Sequence, residues 1–355
     1  MSYPKTVRSW RRTTPPYPLS TVQSTETLPE NLGAHDVVIR IHTVSLNYRD
    51  IAMLREGGYP APVDAGGICA SDAAGEIVAL GSQATKFDMG DRVAPTIGQP
   101  APLGQEHEID STTLGGDGPG VLTEYAVFNE EYLVKLPSHL SWKEASTITV
   151  AGITAWVALD RLQRLREGAT ALLQGTGGVS MFAVKLCLAA GIRPIITSSS
   201  ENKLQKLKQL DARIGLINYK SHQDIGAEVL RLTNGEGVDF VLNNIGVSSI
   251  PTDLQVLRKK GGKIALVGFL DGFEAKWAPS LLYTLMFKEA HIAGVLGGSR
   301  ADFEALNAFL AEKKVSLGSL IDQTFSFEDS DAAFDYLSSG KHVGKVIIEL
   351  QRGHE

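Results

Sequence analysis

The sequence predicts a two-domain α/β protein, in which a β-rich domain is followed by a doubly wound parallel sheet. Three observations carry that prediction. Thr170–Gly191 reads as a short apolar strand, a tight turn at Gly175-Thr176-Gly177-Gly178 and an amphipathic helix that Gly191 stops. Downstream of it, short apolar runs alternate with helical stretches, the pattern of a parallel sheet covered by helices. Upstream, apolar runs of strand length are punctuated by glycine turns. At 355 residues the chain is long enough to build two cores.

Near the start, Lys5, Arg8, Arg11 and Arg12 among Ser and Thr superficially look like a transit peptide. Pro15-Pro16-Tyr17-Pro18 breaks any amphipathic helix there, so a first strand and turn are expected, in a cytoplasmic protein. Val37–Val44, Ala73–Leu80 and Asp91–Pro95 follow as strands, with turns at Gly66-Gly67, Gly75, Gly81 and Gly90-Asp91. Ile97–Gly120 is too long for an ordinary connection and rich in Gly, Pro and acidic residues, which reads either as a lid or as a disordered insertion. Leu122–Phe128 resumes as a strand, and Trp142–Leu162 is mainly helical.

Past the glycine turn come strands Ile192–Thr197, Ile214–Ile217, Val238–Leu242 and Lys263–Val267. Helices Glu201–Leu210, Gln223–Leu232 and Thr252–Leu257 separate them. A later helix, Ala301–Lys313, turns Phe303, Leu306, Phe309 and Leu310 inward. Strands Gln323–Phe327 and Lys345–Leu350, with the helix Ser330–Leu337 between them, leave the alternation and are expected to return to the first domain. The expected domains are therefore 1–135 with 303–355, and 136–302.

Composition narrows the function. An apolar share of 43% and a charged share of 21% are those of a soluble globular chain. A net charge of −6 without a basic block argues against nucleic acid or an anionic membrane surface as a partner. Cys69 and Cys187 cannot build a disulfide framework, and no apolar stretch approaches membrane-spanning length.

The glycine turn points to a ligand. Glycines let a backbone approach a pyrophosphate, and the following helix offers N–H groups without intrahelical partners and a positive dipole end. Ser180 fills the third small-residue slot, and Gly175, Thr176, Gly177, Gly178 and Val179 are the expected contacts. About 20 residues on, a dinucleotide domain for NAD carries Asp or Glu for the adenosine ribose. Here that window reads Ile195-Ile196-Thr197-Ser198-Ser199-Ser200, with Lys203 just beyond. A carboxylate would repel a 2′-phosphate, whereas small hydroxyl donors and a cation hold it, so the expected cofactor is NADP(H). Ser200 also suits a helix N-cap.

With these residues in view, the chain resembles the medium-chain dehydrogenase/reductase superfamily over nearly its whole length. The matching motifs run in order: Ser45-Leu46-Asn47-Tyr48-Arg49-Asp50, Asp72-Ala73-Ala74-Gly75-Glu76, Gly90-Asp91-Arg92-Val93, Thr154-Ala155-Trp156, the Gly175 turn, Ile217-Asn218-Tyr219 and Gly344-Lys345-Val346. The resemblance implies a GroES-like catalytic domain and a Rossmann domain. It is greatest to the zinc-free branch of quinone oxidoreductases, enoyl reductases and alcohol-dehydrogenase-like proteins. Members with catalytic zinc carry Cys, His and Cys where this chain has Asn47, Ser71 and Val150. Such a set cannot make a tetrahedral N/S site, and two cysteines cannot supply a four-cysteine structural lobe, so no metal is expected. The eight histidines are scattered without a paired ligand spacing.

The resemblance also assigns contacts. Tyr219 is expected beside the 2′-phosphate, and Thr154 on the nicotinamide side. Asn243 or Asn244 with Gly246 belongs at the nicotinamide ribose, and Gly268 and Phe269 near the carboxamide. Leu296, Gly298 and Lys345 are expected toward the phosphates or ribose. Family members commonly dimerise by joining central sheets edge to edge, a role that His291–Leu296 and Leu281-Leu282-Tyr283 suit.

Without a metal, reducing a simple ketone to an alkoxide lacks a Lewis acid. An α,β-unsaturated carbonyl or a quinone spreads the developing charge, so a few hydrogen bonds suffice. Asn47 and Tyr48, with Tyr59, are the candidates for those bonds, and because Tyr59 falls where some enoyl reductases of the family keep a catalytic tyrosine, the resemblance implies that it protonates the α-carbon. Asp50 and Asp72 are expected to brace the local fold. Two alternatives stay open, a zinc-free alcohol/carbonyl oxidoreductase and a non-catalytic NADPH-binding protein.

Overall fold

The computed structural model describes residues 3–99, 112–163, 165–222 and 224–350. The chain divides into two compact units, 1–153 with 298–355, and 154–297. In the first unit, an antiparallel ribbon of β1 (Thr6–Arg12) and β2 (Thr21–Thr27) precedes the long strand β3 (Asp36–Leu46). Then come β4 (Asp72–Leu80), β5 (Arg92–Pro95), the short pair β6 (Gly98–Gln99) and β7 (Thr112–Thr113), β8 (Tyr125–Asn129) and β9 (Leu133–Lys135). The second unit holds β10 (Thr170–Gln174), β11 (Arg193–Ser198), β12 (Gly215–Asn218), β13 (Phe240–Asn243), β14 (Lys263–Leu266) and β15 (His291–Gly294). The chain returns to the first unit with β16 (Ile321–Ser326) and β17 (Lys345–Glu349).

The first unit is built on a sheet in the order β16-β17-β3-β4-β5-β9, with β8 also on β3. The late strands thus close onto the early ones, as expected: Val346 pairs with Leu46 and Ile348 with Val44. Val37, Ile39, Ile41, Val44, Val346 and Ile348 join Phe327 and Phe334 in one buried core. These β-branched residues suit a pleated surface with both faces covered.

Two sequence expectations shift here. The strand expected from Leu122 begins only at Tyr125, because Val121 and Leu122 give their N–H groups to the Cys69 carbonyl instead of to a ladder. Residues 136–153, expected in the second domain, cluster with the first. There the Thr43 hydroxyl donates to the Trp142 carbonyl at 2.7 Å, Thr149 donates to Pro95 at 3.0 Å, and Trp142 stacks on His42 at 4.3 Å. Of the long segment Ile97–Gly120, β6 and β7 pair, and Leu114 is buried. Residues 100–111, on which the lid or insertion reading falls, lie outside the described residues.

The second unit is a six-stranded parallel sheet in the order β12-β11-β10-β13-β14-β15. Its core gathers Leu172, Ile195, Ile217, Val241 and Ile264 from the strands with Val229, Leu254 and Val256 from the helices. Helix Gly178–Ala190 ends at Gly191 in the left-handed conformation that glycine favours, φ 75°. The order reverses between β10 and β13, which makes the carboxyl end of β10 a topological switch point. No helix among the described residues is long and apolar enough to cross a membrane.

Candidate functional site

Among the described residues, a cluster of chemistry-bearing side chains stands out in each unit. In the first unit the backbone leaves β3 at Asn47 and enters the helix Tyr48–Ala52, whose start is tied down when the Asn47 N–H donates to Asp50 at 2.7 Å. Asp50 is buried, and burial pushes its carboxyl above the usual carboxylate range. Asn47 then meets Asp72, at the start of β4. The Asn47 Nδ2 donates to Asp72 Oδ2 at 2.9 Å, Ser45 Oγ donates to the same oxygen at 3.1 Å, and the Val150 N–H donates to Oδ1 at 2.5 Å. Lys345, the first residue of β17, completes the cluster. Its ammonium donates to Asp72 Oδ2 at 2.8 Å and to Asn47 Oδ1 at 2.7 Å, and both charged side chains are within 1% of full burial.

Lys345 was expected to face a cofactor. The structure instead commits its ammonium to a buried pair inside the first unit, where a lone carboxylate would be costly. Asp72 braces the fold, as expected. Beside it, Arg49 donates from Nη1 to Ser71 Oγ and to the Leu114 carbonyl, each at 2.8 Å. Its Nε donates to the Tyr59 hydroxyl oxygen at 3.2 Å, and the guanidinium lies 5.3 Å from the ring centroid. Tyr59 is half-buried and Tyr48 is exposed at 39%.

Asn47, Ser71 and Val150 therefore surround one carboxylate and two cations. An amide spent on Asp72 and Lys345, a hydroxyl held by a guanidinium and an aliphatic side chain are not a donor set for zinc, and two fixed positive charges oppose a third. The described residues hold no group of three or more His, Cys, Asp or Glu suited to a metal. Cys69 and Cys187 are buried, and burial pushes the Cys69 thiol up to about 12 and that of Cys187 upward as well, so neither offers a thiolate.

The second cluster lies at the carboxyl ends of β10, β11 and β13. Gly175 follows β10 at φ 79°, and its N–H donates to Thr197 Oγ1 at 3.2 Å. At Gly175 and Gly177 an added Cβ would stand in open space, which fits a turn over which a ligand lies. Gly177 caps the helix without a side chain, so its first N–H groups are left to the turn. A turn so open, with helix N–H groups behind it, has the chemistry to take a pyrophosphate. Thr176 and Thr154 are buried at 6% and 5% exposure, and Gly178 and Val179 open the helix.

At the end of β11, Ser198 Oγ accepts from the Ser200 N–H, and Ser200 Oγ caps the next helix by accepting from Lys203 N–H. Tyr219, just past β12 and 45% exposed, donates its N–H to the Ser198 carbonyl. The structure thus brings Ser198, Ser199, Lys203 and Tyr219 to one corner. Glu201, which sequence reasoning passed over, shares it. Asn218 and Gln205 donate to its carboxylate, and the Asn218 bond leads in holding that carboxyl below its usual value.

Asn243 turns out to be fully buried, with Nδ2 donating to Asp253 and Oδ1 accepting from Gly246 N–H. It therefore supports the 244–246 turn from beneath, where a contact with the nicotinamide ribose was expected. Gly268 packs so closely that a Cβ would lie 2.4 Å from the Asn244 carbonyl, and Phe269 stacks on Phe273 at 5.3 Å. Leu296 is 83% exposed in the second unit, while Gly298 belongs to the first and leads to the Ser299 cap of helix Arg300–Glu312.

Two family models match this chain. The family described as alcohol dehydrogenase GroES-like domain matches residues 33–138, and that described as zinc-binding dehydrogenase matches 178–312. A zinc-type alcohol dehydrogenase-like protein of Schizosaccharomyces pombe is 32% identical over 91% of this chain and 93% of its own length. A quinone oxidoreductase of Pseudomonas aeruginosa is 33% identical over 90% and 93%. The solved quinone oxidoreductase of Pseudomonas syringae pv. tomato DC3000 superposes with a TM-score of 0.75 at 26% identity, covering 97% of this chain and all of that one.

Proposed function

The chain belongs to the medium-chain dehydrogenase/reductase superfamily, and from that premise we propose that it is a zinc-independent, NADPH-dependent oxidoreductase that reduces an α,β-unsaturated carbonyl or a quinone. One observation carries the reading: the positions that hold zinc in metal-dependent members are tied into hydrogen bonds, Asn47 and the Val150 N–H with Asp72 and Lys345 and Ser71 with Arg49. When bound, the dihydronicotinamide supplies the hydride. The chain's own task is to hold the acceptor and stabilise the charge that arrives with it.

An enolate or hydroquinone anion needs only hydrogen-bond donors. The Tyr59 hydroxyl would give its proton to the α-carbon of the enolate that hydride addition leaves and regain one from solvent, while Arg49 Nε, which donates to its oxygen, steadies the phenolate between the two. Tyr48, exposed at the start of the helix that follows β3, is a second donor; Asn47, expected to be another, has both ends of its amide committed to Asp72 and Lys345 and braces the site instead. For the cofactor, Ser198, Ser199, Lys203 and Tyr219 supply hydroxyls and a cation to the 2′-phosphate. NADP(H) is accordingly preferred to NAD(H).

Among the described residues edge strand β15 pairs with β14 alone, and Tyr283, Met286 and Phe287 are exposed at 62–72%. An open edge and a large apolar patch support a homodimer. The two free buried thiols fit a reducing, cytoplasmic setting.

The test is a panel of enones, quinones and aldehydes incubated with NADPH or NADH while nicotinamide absorbance is followed. Enone or quinone turnover with NADPH that collapses in Tyr59→Phe supports the reading. Turnover of aldehydes alone, or tight NADPH binding without turnover, overturns it.

A further inference from the structure

Beneath the two turns assigned to the dinucleotide lies a polar network for which hydride transfer has no use. Asp253, on helix Ile250–Val256, is fully buried. Its carboxylate accepts from Gln174 Nε2 at 2.7 Å, from Asn243 Nδ2 at 2.6 Å and from Ser249 Oγ at 3.0 Å. These donors are neutral and come from the end of β10, the end of β13 and the turn before the helix. Burial outweighs them and pushes the carboxyl up to about 7, so the group is kept against its own desolvation cost.

An amide has one accepting and one donating end. Once ionised, above about pH 7, a carboxylate can only accept, so it dictates which end of each amide turns toward it. Gln174 must then present Oε1 outward, where it accepts from the N–H groups of Asn244 at 3.1 Å and Ile245 at 3.2 Å. Asn243 must present Oδ1 to the Gly246 N–H at 2.7 Å. Gly246 has φ 114° and comes so close to Phe269 that a Cβ would lie 3.2 Å from its Cα. The backbone of the 244–246 turn thus sets the place of Gly268 and Phe269, while Gln174 runs directly into Gly175.

We propose that Asp253 is a positioning residue for the cofactor, fixing the amides of Gln174 and Asn243 and thereby holding the Gly175 turn and the Asn244–Gly246 turn in one relation. Its cofactor role rests on the dinucleotide reading above, whereas the lock itself is a property of the protein without ligand.

The experiment therefore has two readouts on the full-length chain, residue-level amide hydrogen exchange without cofactor and NADPH affinity by fluorescence titration. Asp253→Asn places donors against donors and is expected to speed exchange at Asn244, Ile245 and Gly246 together. Gln174→Met is expected to speed only Asn244 and Ile245, and Asn243→Leu only Gly246. Helix Gly178–Ala190 keeps its protection in all three, a pattern that general destabilisation does not give. If Asp253→Asn does not fold, the two single-amide variants still decide the lock. NADPH affinity is expected to fall tenfold or more in Asp253→Asn. Unchanged exchange at the 244–246 turn in these variants overturns the lock. A wild-type chain that binds no NADPH overturns the dinucleotide reading, and unchanged NADPH affinity in Asp253→Asn overturns the cofactor role alone.

Discussion

Replacing Lys345 by Met removes the ammonium that meets Asp72 at 2.8 Å, while leaving a side chain of similar length. Asp72 keeps the donors Ser45, Asn47 and the Val150 N–H, but its charge stays fully buried without a cation. Breaking such a pair from one side costs about 3–5 kcal/mol. Asn47 Oδ1 also loses its donor, so the amide is freed to turn. For a unit of this size each kcal/mol moves Tm by about 2–4 °C, so a fall of roughly 6–20 °C is expected. The assay is thermal unfolding followed by tryptophan fluorescence, since Trp10 and Trp142 both lie in that unit. Asp72→Asn should cost a similar amount. The double variant, with no charge left to strand, should cost less than the two losses added together. A Lys345→Met protein melting within about 2 °C of the wild type, or strictly additive losses, would refute the reasoning.

Further outcomes follow from the same geometry. Tyr59→Phe removes the hydroxyl that Arg49 holds and should lower enone turnover about 100-fold or more, with NADPH affinity unchanged in direct titration. Lys203→Met should weaken NADPH about tenfold and leave NADH untouched, as measured by paired titrations, because only the former carries the 2′-phosphate. For Asp253 the folded pKa is raised from 3.8 to about 7. The folded state therefore binds the extra proton between those values, and the stability this group contributes is present at low pH and lost as pH rises through 7. Melting of wild type and Asp253→Asn at pH 5 and pH 8 should show the wild-type advantage shrinking by roughly 2 kcal/mol at the higher pH.

Local chemistry made much of this legible in the sequence. The turn at Gly175 and the stop at Gly191 need left-handed backbone, and short-range spacing announces both. Helix Glu201–Leu210 was bounded by its Ser200 cap and its own apolar face. What stayed hidden depends on partners far along the chain. Lys345 reads by resemblance as a cation for the cofactor until β17 brings it against Asp72, 273 residues away. Asp253 reads as one polar position in a short helix, and only the meeting of β10 with β13 supplies its donors from Gln174 and Asn243. Helical pattern says nothing of which sheet a helix covers, so residues 136–153 could not be assigned to a unit from the sequence. The Trp142–His42 stack decides that.

The central claim is hydride transfer without a metal ion, and it is tested most directly by assaying enone reduction by NADPH after exhaustive chelation, with zinc counted per chain by elemental analysis. The account predicts full turnover at substoichiometric zinc. Turnover that vanishes on chelation and returns with one zinc per chain would contradict it.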